Sequence, residues 1–340
     1  MYSVRGAMTI SPEWNGRSIL VTGAGGFIGS TAAESLVRAG ARVRAFVRYN
    51  SRNDYGLLEL CDAEVLEQVE VFTGDLADPD AVAGAVEGME TVLHLGALIP
   101  IPYSYRHPRE YEVANVVGTL NVLQAVRFGD VQRLVHVSSS EVYGTARTVP
   151  ITEEHPLNAQ SPYAATKTAA DQLALSYWHS FGTPVVVARP FNTFGPRQSA
   201  RAIIPTIVTQ ALSRDVIELG ATTPTRDFLF VEDTAAGLAR CAAADGVEGQ
   251  TFNLGTGSEI SIAEVADRVL KAVGRDVPVI ERDERLRPES SEVERLVADA
   301  SKARGALDWA PQVSFDEGLQ RTIEWIRTSL DRYKTTIYNV

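Results

Sequence analysis

Tyr163 and Lys167 stand four residues apart in SPYAATK, and on a helix that spacing puts both on one face. An ammonium beneath a phenol favours the phenolate, so the pair suits a tyrosine that takes a proton from a hydroxyl near neutral pH. Ser139, in HVSSSEVYG, offers a hydroxyl to the same substrate oxygen. Such a site needs a strand that delivers the serine and a helix that delivers the tyrosine. LVHVS reads as a buried strand that stops in polar residues, so Ser139, Ser140 and Glu141 emerge at its carboxyl end. Ser161 reads as a helix N-cap with Pro162 in the first turn, and good helix formers continue through Ala174. Tyr and Lys at this spacing are more often an ordinary surface pair, so the surrounding pattern must decide.

SILVTGAGGFIGSTAAESLVRAG supplies part of that pattern: a short apolar strand, glycines, then a helix. Gly23, Gly26 and Gly29 permit a tight turn and close approach of a pyrophosphate, with Phe27 and Ile28 between them, at a helix N-terminus whose N–H groups attract the anion. The next strand ends at Arg48, where an acid would bond an adenosine 2′-hydroxyl. No acid lies between Glu34 and Asp54; Arg48, Asn50, Ser51 and Arg52 stand there instead and favour NADP over NAD. Asp75 and Leu76 would flank the adenine, and Leu95 and Ala97 of HLGA the path to the nicotinamide, while His94 reads as a core histidine. Asn115 and Pro190 complete the expected cofactor contacts. Strand and helix alternate as far as Pro190, which predicts an α/β, doubly wound parallel sheet of the Rossmann type over residues 17–190. Residues 1–16 read as a tail. Residues 191–340, with looser alternation, read as a smaller C-terminal α/β substrate lobe, with some crossing of the chain between lobes.

A net charge of −11 argues against nucleic acid and anionic membranes as partners. A phosphate-bearing ligand must then meet a local arginine cluster, and Arg197, Arg201, Arg226 and Arg287 all follow turn signals in the second lobe. Cys61 and Cys241 are isolated, giving neither a metal pattern nor a disulfide framework, and fit free thiols in a reducing cytoplasm. No apolar run approaches the roughly 20 residues that span a bilayer.

TGAGGFIG, SSSEVYG, YAATK, RPFNTFGPR and TRDFLFVED together resemble the extended short-chain dehydrogenase/reductases that modify nucleotide sugars. ALIPIPYSY, QSPYAATKTAADQLALS and RPFNTFGPRQSARAIIPTIV look most like the 4,6-dehydratases of the legionaminic-acid pathway, which act on nucleotide-linked N-acetylglucosamine. The resemblance implies a homodimer acting on a UDP-, GDP- or dTDP-sugar, with no metal. It implies that Tyr163 takes the proton of the sugar 4-hydroxyl while C4 is oxidised. Lys167 would bond the nicotinamide ribose, Ser139 orient the 4-oxygen, and Glu141 remove the C5 proton before water leaves C6. Asn192, Arg226 and Arg287 match diphosphate-binding positions, with Arg197 and Arg201 as further candidates.

One position departs from that pattern. Many hexose 4,6-dehydratases carry Asp-Glu before VYG, the Asp being the acid that expels the C6 hydroxyl; here the pair is Ser140-Glu141. Ser-Glu is also similar to nucleotide-sugar uronate decarboxylases, which oxidise C4 and then lose carbon dioxide. Decarboxylase, then 4-epimerase, are the rival activities. A non-catalytic NADP-binding regulator is a further alternative, though such proteins tend to lose the catalytic tyrosine or lysine, and both are present.

Overall fold

The computed structural model describes residues 14–335 and 337, so residues 1–13 of the expected tail lie outside the described residues. Seven strands form one sheet: β1 (Ser18–Thr22), β2 (Arg42–Arg48), β3 (Glu70–Gly74), β4 (Thr91–His94), β5 (Arg133–Val137), β6 (Val185–Pro190) and β7 (Thr251–Leu254). Their order is β7-β6-β5-β4-β1-β2-β3, with every pairing parallel. β1, β4, β5 and β6 are buried at every position, because helices cover both faces of a parallel sheet. The direction of winding reverses between β1 and β4, and the crevice beyond the strands' carboxyl ends at that point is where such sheets bind ligands.

Helices α1 (Phe27–Arg38), α2 (Pro79–Val86), α3 (Gly118–Phe128), α4 (Pro162–Phe181) and α5 (Val231–Ala243) complete the first layer system. Leu36 and Val37 of α1 and Leu238 and Ala242 of α5 share one core with Val21, Val135 and Val186. Val82 of α2, Val122 of α3 and Ala174 of α4 pack the opposite face with Leu20, Val92 and Val187. α4 starts as the sequence indicates: Ser161 Oγ accepts the Ala164 N–H at 3.1 Å and Pro162 fills the first position.

The helical stretch from Pro108 to Phe128 changes register part-way. Pro108–Tyr111 is α-helical, Glu112–Val117 is a π-helix, and only then does α3 begin. Insertions of this kind recur at functional sites. This one turns Asn115 into the protein, where it bonds the backbone of Leu98 and the Thr166 hydroxyl.

Past Pro190 the helices Ile203–Ser213, Ile262–Val273 and Phe315–Thr328 enclose a separate core of Ile204, Val208, Phe230, Val265 and Ile323. Small strand pairs frame it, Asn192–Phe194 with Phe228–Phe230 and Ile217–Leu219 with Val279–Glu281. α5 and β7 interrupt this lobe and return to the first sheet, so the chain crosses between the two at least twice after Pro190. Among the described residues no helix is long and apolar enough to cross a membrane, no cluster of His, Cys, Asp or Glu could hold a metal ion, and both cysteines are free and buried.

Candidate active site

A cavity of about 1390 Å³ runs from the glycine turn after β1, past the ends of β4, β5 and β6, into the second lobe. At the glycine turn it forms a cradle made by missing side chains. A Cβ on Gly23 would lie 2.8 Å from the backbone of Gly96, and one on Gly29 would lie 2.2 Å from the Gly23 carbonyl oxygen. Gly26 caps α1 without a side chain, which leaves the helix N–H groups facing the cavity. Phe27, Ile28, Leu76, Leu95, Ala97 and Pro190 line its walls. This cradle fits a dinucleotide.

Four of the residues singled out from sequence do not line the cavity: Ser51, Arg52, Asn115 and Arg197. Arg52 points to solvent and pairs with Asp54 at 2.9 Å, so Arg48 and Asn50 alone of that set remain at the adenosine end. Arg48 itself lies 3.7 Å from Asp75, both exposed. Asn115 is spent on Leu98 and Thr166, and so positions the cavity wall rather than touching a ligand. Arg197 pairs with Glu34 of α1 at 2.6 Å and also donates to Leu60 O and Cys61 Sγ, which makes it a tie between the lobes.

Ser139, Ser140, Glu141, Tyr163 and Lys167 meet in the middle of the cavity. The serine arrives on β5 and its hydroxyl accepts the Glu141 N–H at 3.2 Å, capping the short 3₁₀ turn Ser140–Tyr143 that carries the carboxylate. The same hydroxyl stands near the Tyr163 phenol and acts to lower its pKa. Tyr163 is packed edge-on against Tyr111, with ring centroids 6.3 Å apart.

The charge balance differs from the sequence reading. Burial pushes the Tyr163 phenol up to about 12, and the charges of Glu141 and Asp171 push the same way against the Ser139 hydroxyl. The Lys167 ammonium donates to Val137 O at 2.7 Å, and burial brings its own pKa down to about 8 against the opposing pull of Asp171. Without further positive charge the tyrosine is therefore a phenol, and the lysine is an ammonium held at a desolvation cost.

Beneath these groups lies a buried polar layer. His136 and Arg189 both bond Asp171, at 3.1 and 2.9 Å, one helical turn beyond Lys167. His94 bonds Thr22 and Thr119 and burial holds it well below the usual histidine range, which makes it the satisfied neutral core residue expected.

The far end of the cavity holds Asn192, Arg201, Arg226 and Arg287. Arg226 is 5% exposed, and burial pulls its pKa down against the charges of Glu141 and Glu292. Arg287 Nη1 stands 3.8 Å from Glu141 Oε1 and 3.7 Å from Glu292 Oε1. That nitrogen and Asn192 Oδ1 are buried without a hydrogen-bond partner among the described residues, a vacancy in bonding that a polar ligand would fill.

Residues 20–322 match the model of a family described as GDP-mannose 4,6 dehydratase. The chain belongs to that family. A dTDP-glucose 4,6-dehydratase from an Actinoplanes species is 34% identical over 317 residues, covering 92% of this chain and 98% of the relative. A UDP-glucose 4-epimerase from Mycolicibacterium smegmatis is also 34% identical, over 314 residues, covering 91% and 98%. The crystal structure of a dTDP-glucose 4,6-dehydratase from Streptomyces venezuelae with NAD bound superposes with a TM-score of 0.81 at 28% identity, over 93% of this chain and 99% of that one. These are extended dehydrogenase/reductase folds, the class that the sequence resembles.

Several cavity residues escaped the sequence reading. Asp54 and Tyr55 reach the adenosine end from the loop after β2, where the Tyr55 carbonyl packs on Gly25. Glu292 stands among the second-lobe arginines, yet in ESSEVER it looks like one acid among several. Gly96 was readable: a glycine directly after an apolar strand signals close backbone approach.

Proposed function

We propose that this protein is a nucleotide-sugar 4,6-dehydratase that converts a hexose linked to a nucleoside diphosphate into its 4-keto-6-deoxy form. The observation that carries the proposal is Glu141 sharing one cavity with Tyr163, close enough for its charge to act on the phenol, while its carboxylate faces Arg287. An epimerase needs the tyrosine but has no use for a carboxylate at this point; a dehydratase needs both.

When bound, a nicotinamide dinucleotide would supply, in its oxidised form, a hydride acceptor for C4 and a positive charge and, in its reduced form, the donor for C6. Tyr163, with that charge and the Lys167 ammonium nearby, gives up its proton and takes the one on the sugar 4-oxygen. Ser139 hydrogen-bonds that oxygen through the step. The 4-ketone acidifies the C5 proton, which Glu141 removes, and the C6 hydroxyl departs as water. Ser140 is a poor acid, so the proton that Glu141 has taken from C5 is the one at hand for the leaving hydroxyl, and Glu141 then passes a proton drawn from solvent back to C5 as C6 is reduced. Arg226, Arg287 and Asn192, with Arg201 at the rim, hold the diphosphate, which supports a nucleotide-linked rather than a free sugar.

For the cofactor, the Arg48 guanidinium already near Asp75, and Asp54 lining the same cavity, support NAD more than the NADP that the bare sequence favours. Nucleotide-linked N-acetylglucosamine remains the substrate suggested by the sequence resemblance. Mass spectrometry of purified protein incubated with NAD and a panel of UDP-, dTDP- and GDP-sugars tests the assignment. Loss of one water from a hexose is expected. Loss of carbon dioxide from a uronate would make the protein a decarboxylase, and conversion without change of mass an epimerase.

A further inference from the structure

The residue just before the catalytic helix is wired to the opposite wall of the cavity. Gln160 precedes the N-cap Ser161 and stands three residues before Tyr163. Its side-chain Nε2 donates to the carbonyls of Ser290 and Glu292, each at 3.1 Å, and its Oε1 accepts the Thr145 N–H at 2.5 Å. Its own carbonyl accepts the Ser291 hydroxyl. That hydroxyl also meets Tyr105 Oη at 2.6 Å, from the helix Ile101–Arg106 that walls the other side of the site. The amide thus joins Thr145 to the stretch from Ser290 to Glu292, and the Gln160 carbonyl reaches Tyr105 through the Ser291 hydroxyl.

The neighbouring chain is shaped to admit this amide. Gly144 has φ 62°, in the left-handed region, and a Cβ there would lie 2.6 Å from Gln160 Oε1 and 2.2 Å from the Asn158 carbonyl oxygen. Only glycine lets the turn after Glu141 pass so close. The segment that Gln160 holds is the one that begins at Arg287 and ends at Glu292, whose carboxylate touches Arg226 and Arg287.

We propose that Gln160 is a positioning residue that fixes the distance between the diphosphate-binding arginine Arg287 and the proton-transferring Tyr163. This rests on the functional reading given above. A substrate anchored by its diphosphate reaches Tyr163 only through the sugar ring, so its C4 hydroxyl is aligned only if anchor and base are held at a set separation. From just before the start of α4, the amide does this by donating to the backbone carbonyls of Ser290 and Glu292. A nucleoside diphosphate without the sugar needs the anchor alone.

The full-length protein with Gln160→Ala tests this. Misplacement on the ångström scale at a reacting centre lowers turnover on the order of 100-fold. The expected result is a kcat lower by about that factor, with dissociation constants of NAD and of the free nucleoside diphosphate within about twofold of wild type. A purely structural role would lower the melting temperature and leave the kcat of the folded enzyme unchanged. Gln160→Glu is the second variant: it keeps the oxygen that accepts the Thr145 N–H and loses the donor to the Ser290 and Glu292 carbonyls, and should lower kcat at least about tenfold. It decides the matter if Gln160→Ala does not fold. Wild-type kcat in the folded variants, or nucleoside-diphosphate affinity falling in step with kcat, would overturn the proposal. Absence of turnover in the wild type with any nucleotide sugar would instead overturn the functional reading on which it stands.

Discussion

Replacing Lys167 by Met should make the protein more stable at neutral pH and remove a pH dependence that the wild type carries. Lys167 is 3% exposed, and burial brings its pKa from 10.5 to about 8. A depression of about 2.5 units corresponds to roughly 3 kcal/mol of unfavourable free energy for holding the ammonium in the fold. Below about pH 8 the lysine is charged in both folded and unfolded chains, and this cost is present in full. Between about pH 8 and 10.5 the folded protein releases the proton while the unfolded chain keeps it, so stability rises with pH across that window. Methionine has similar length and no charge. It loses the bond to Val137 O, which returns roughly 1 to 2 kcal/mol, so the variant should be more stable by about 1 to 2 kcal/mol near pH 7. Urea unfolding of both proteins at several pH values from about 7 to 10 measures the difference, and subtraction cancels Cys61 and Cys241, whose thiols burial raises to about 11 and 12. The wild type should gain on the variant as pH rises. Parallel profiles would refute the reasoning, since they would mean that the ammonium is held without cost.

Tyr163→Phe keeps the ring packed on Tyr111 and loses the hydroxyl; turnover should fall by roughly 10² to 10⁴ while NAD titration gives an unchanged dissociation constant. Arg287→Ala should weaken binding of a nucleoside diphosphate by at least about tenfold in calorimetry, whereas Arg197→Ala should leave that binding intact. The latter should instead cost about 1 to 2 kcal/mol in urea unfolding, because it breaks the pairing with Glu34.

The central sheet and the helix carrying Tyr163 are legible in the sequence because their signals are local: apolar runs that end in glycine or serine, an N-cap, a proline and a four-residue spacing. Arg197 shows where such reading stops. It follows a turn and lies among arginines that do reach the cavity, yet its partners Glu34 and Cys61 come from the first lobe, more than a hundred residues away in the chain. Asn115 is similar, since the π-helix that turns it inward has no residue signature of its own. The pKa values of Tyr163 and Lys167 depend on burial, which spacing along a helix does not report. β7 joins the sheet only after the chain has left it and returned, so alternation read in order misses it.

The central claim is that Tyr163 and Glu141 work in sequence on a sugar that is transiently a ketone at C4. Turnover of the nucleotide sugar in deuterium oxide tests it most directly, with the wild type beside Glu141→Gln. The wild type should yield a product that has lost one water and carries solvent deuterium at C5, and the variant should yield neither. A dehydrated product without deuterium at C5, or one formed equally well by Glu141→Gln, would contradict the account.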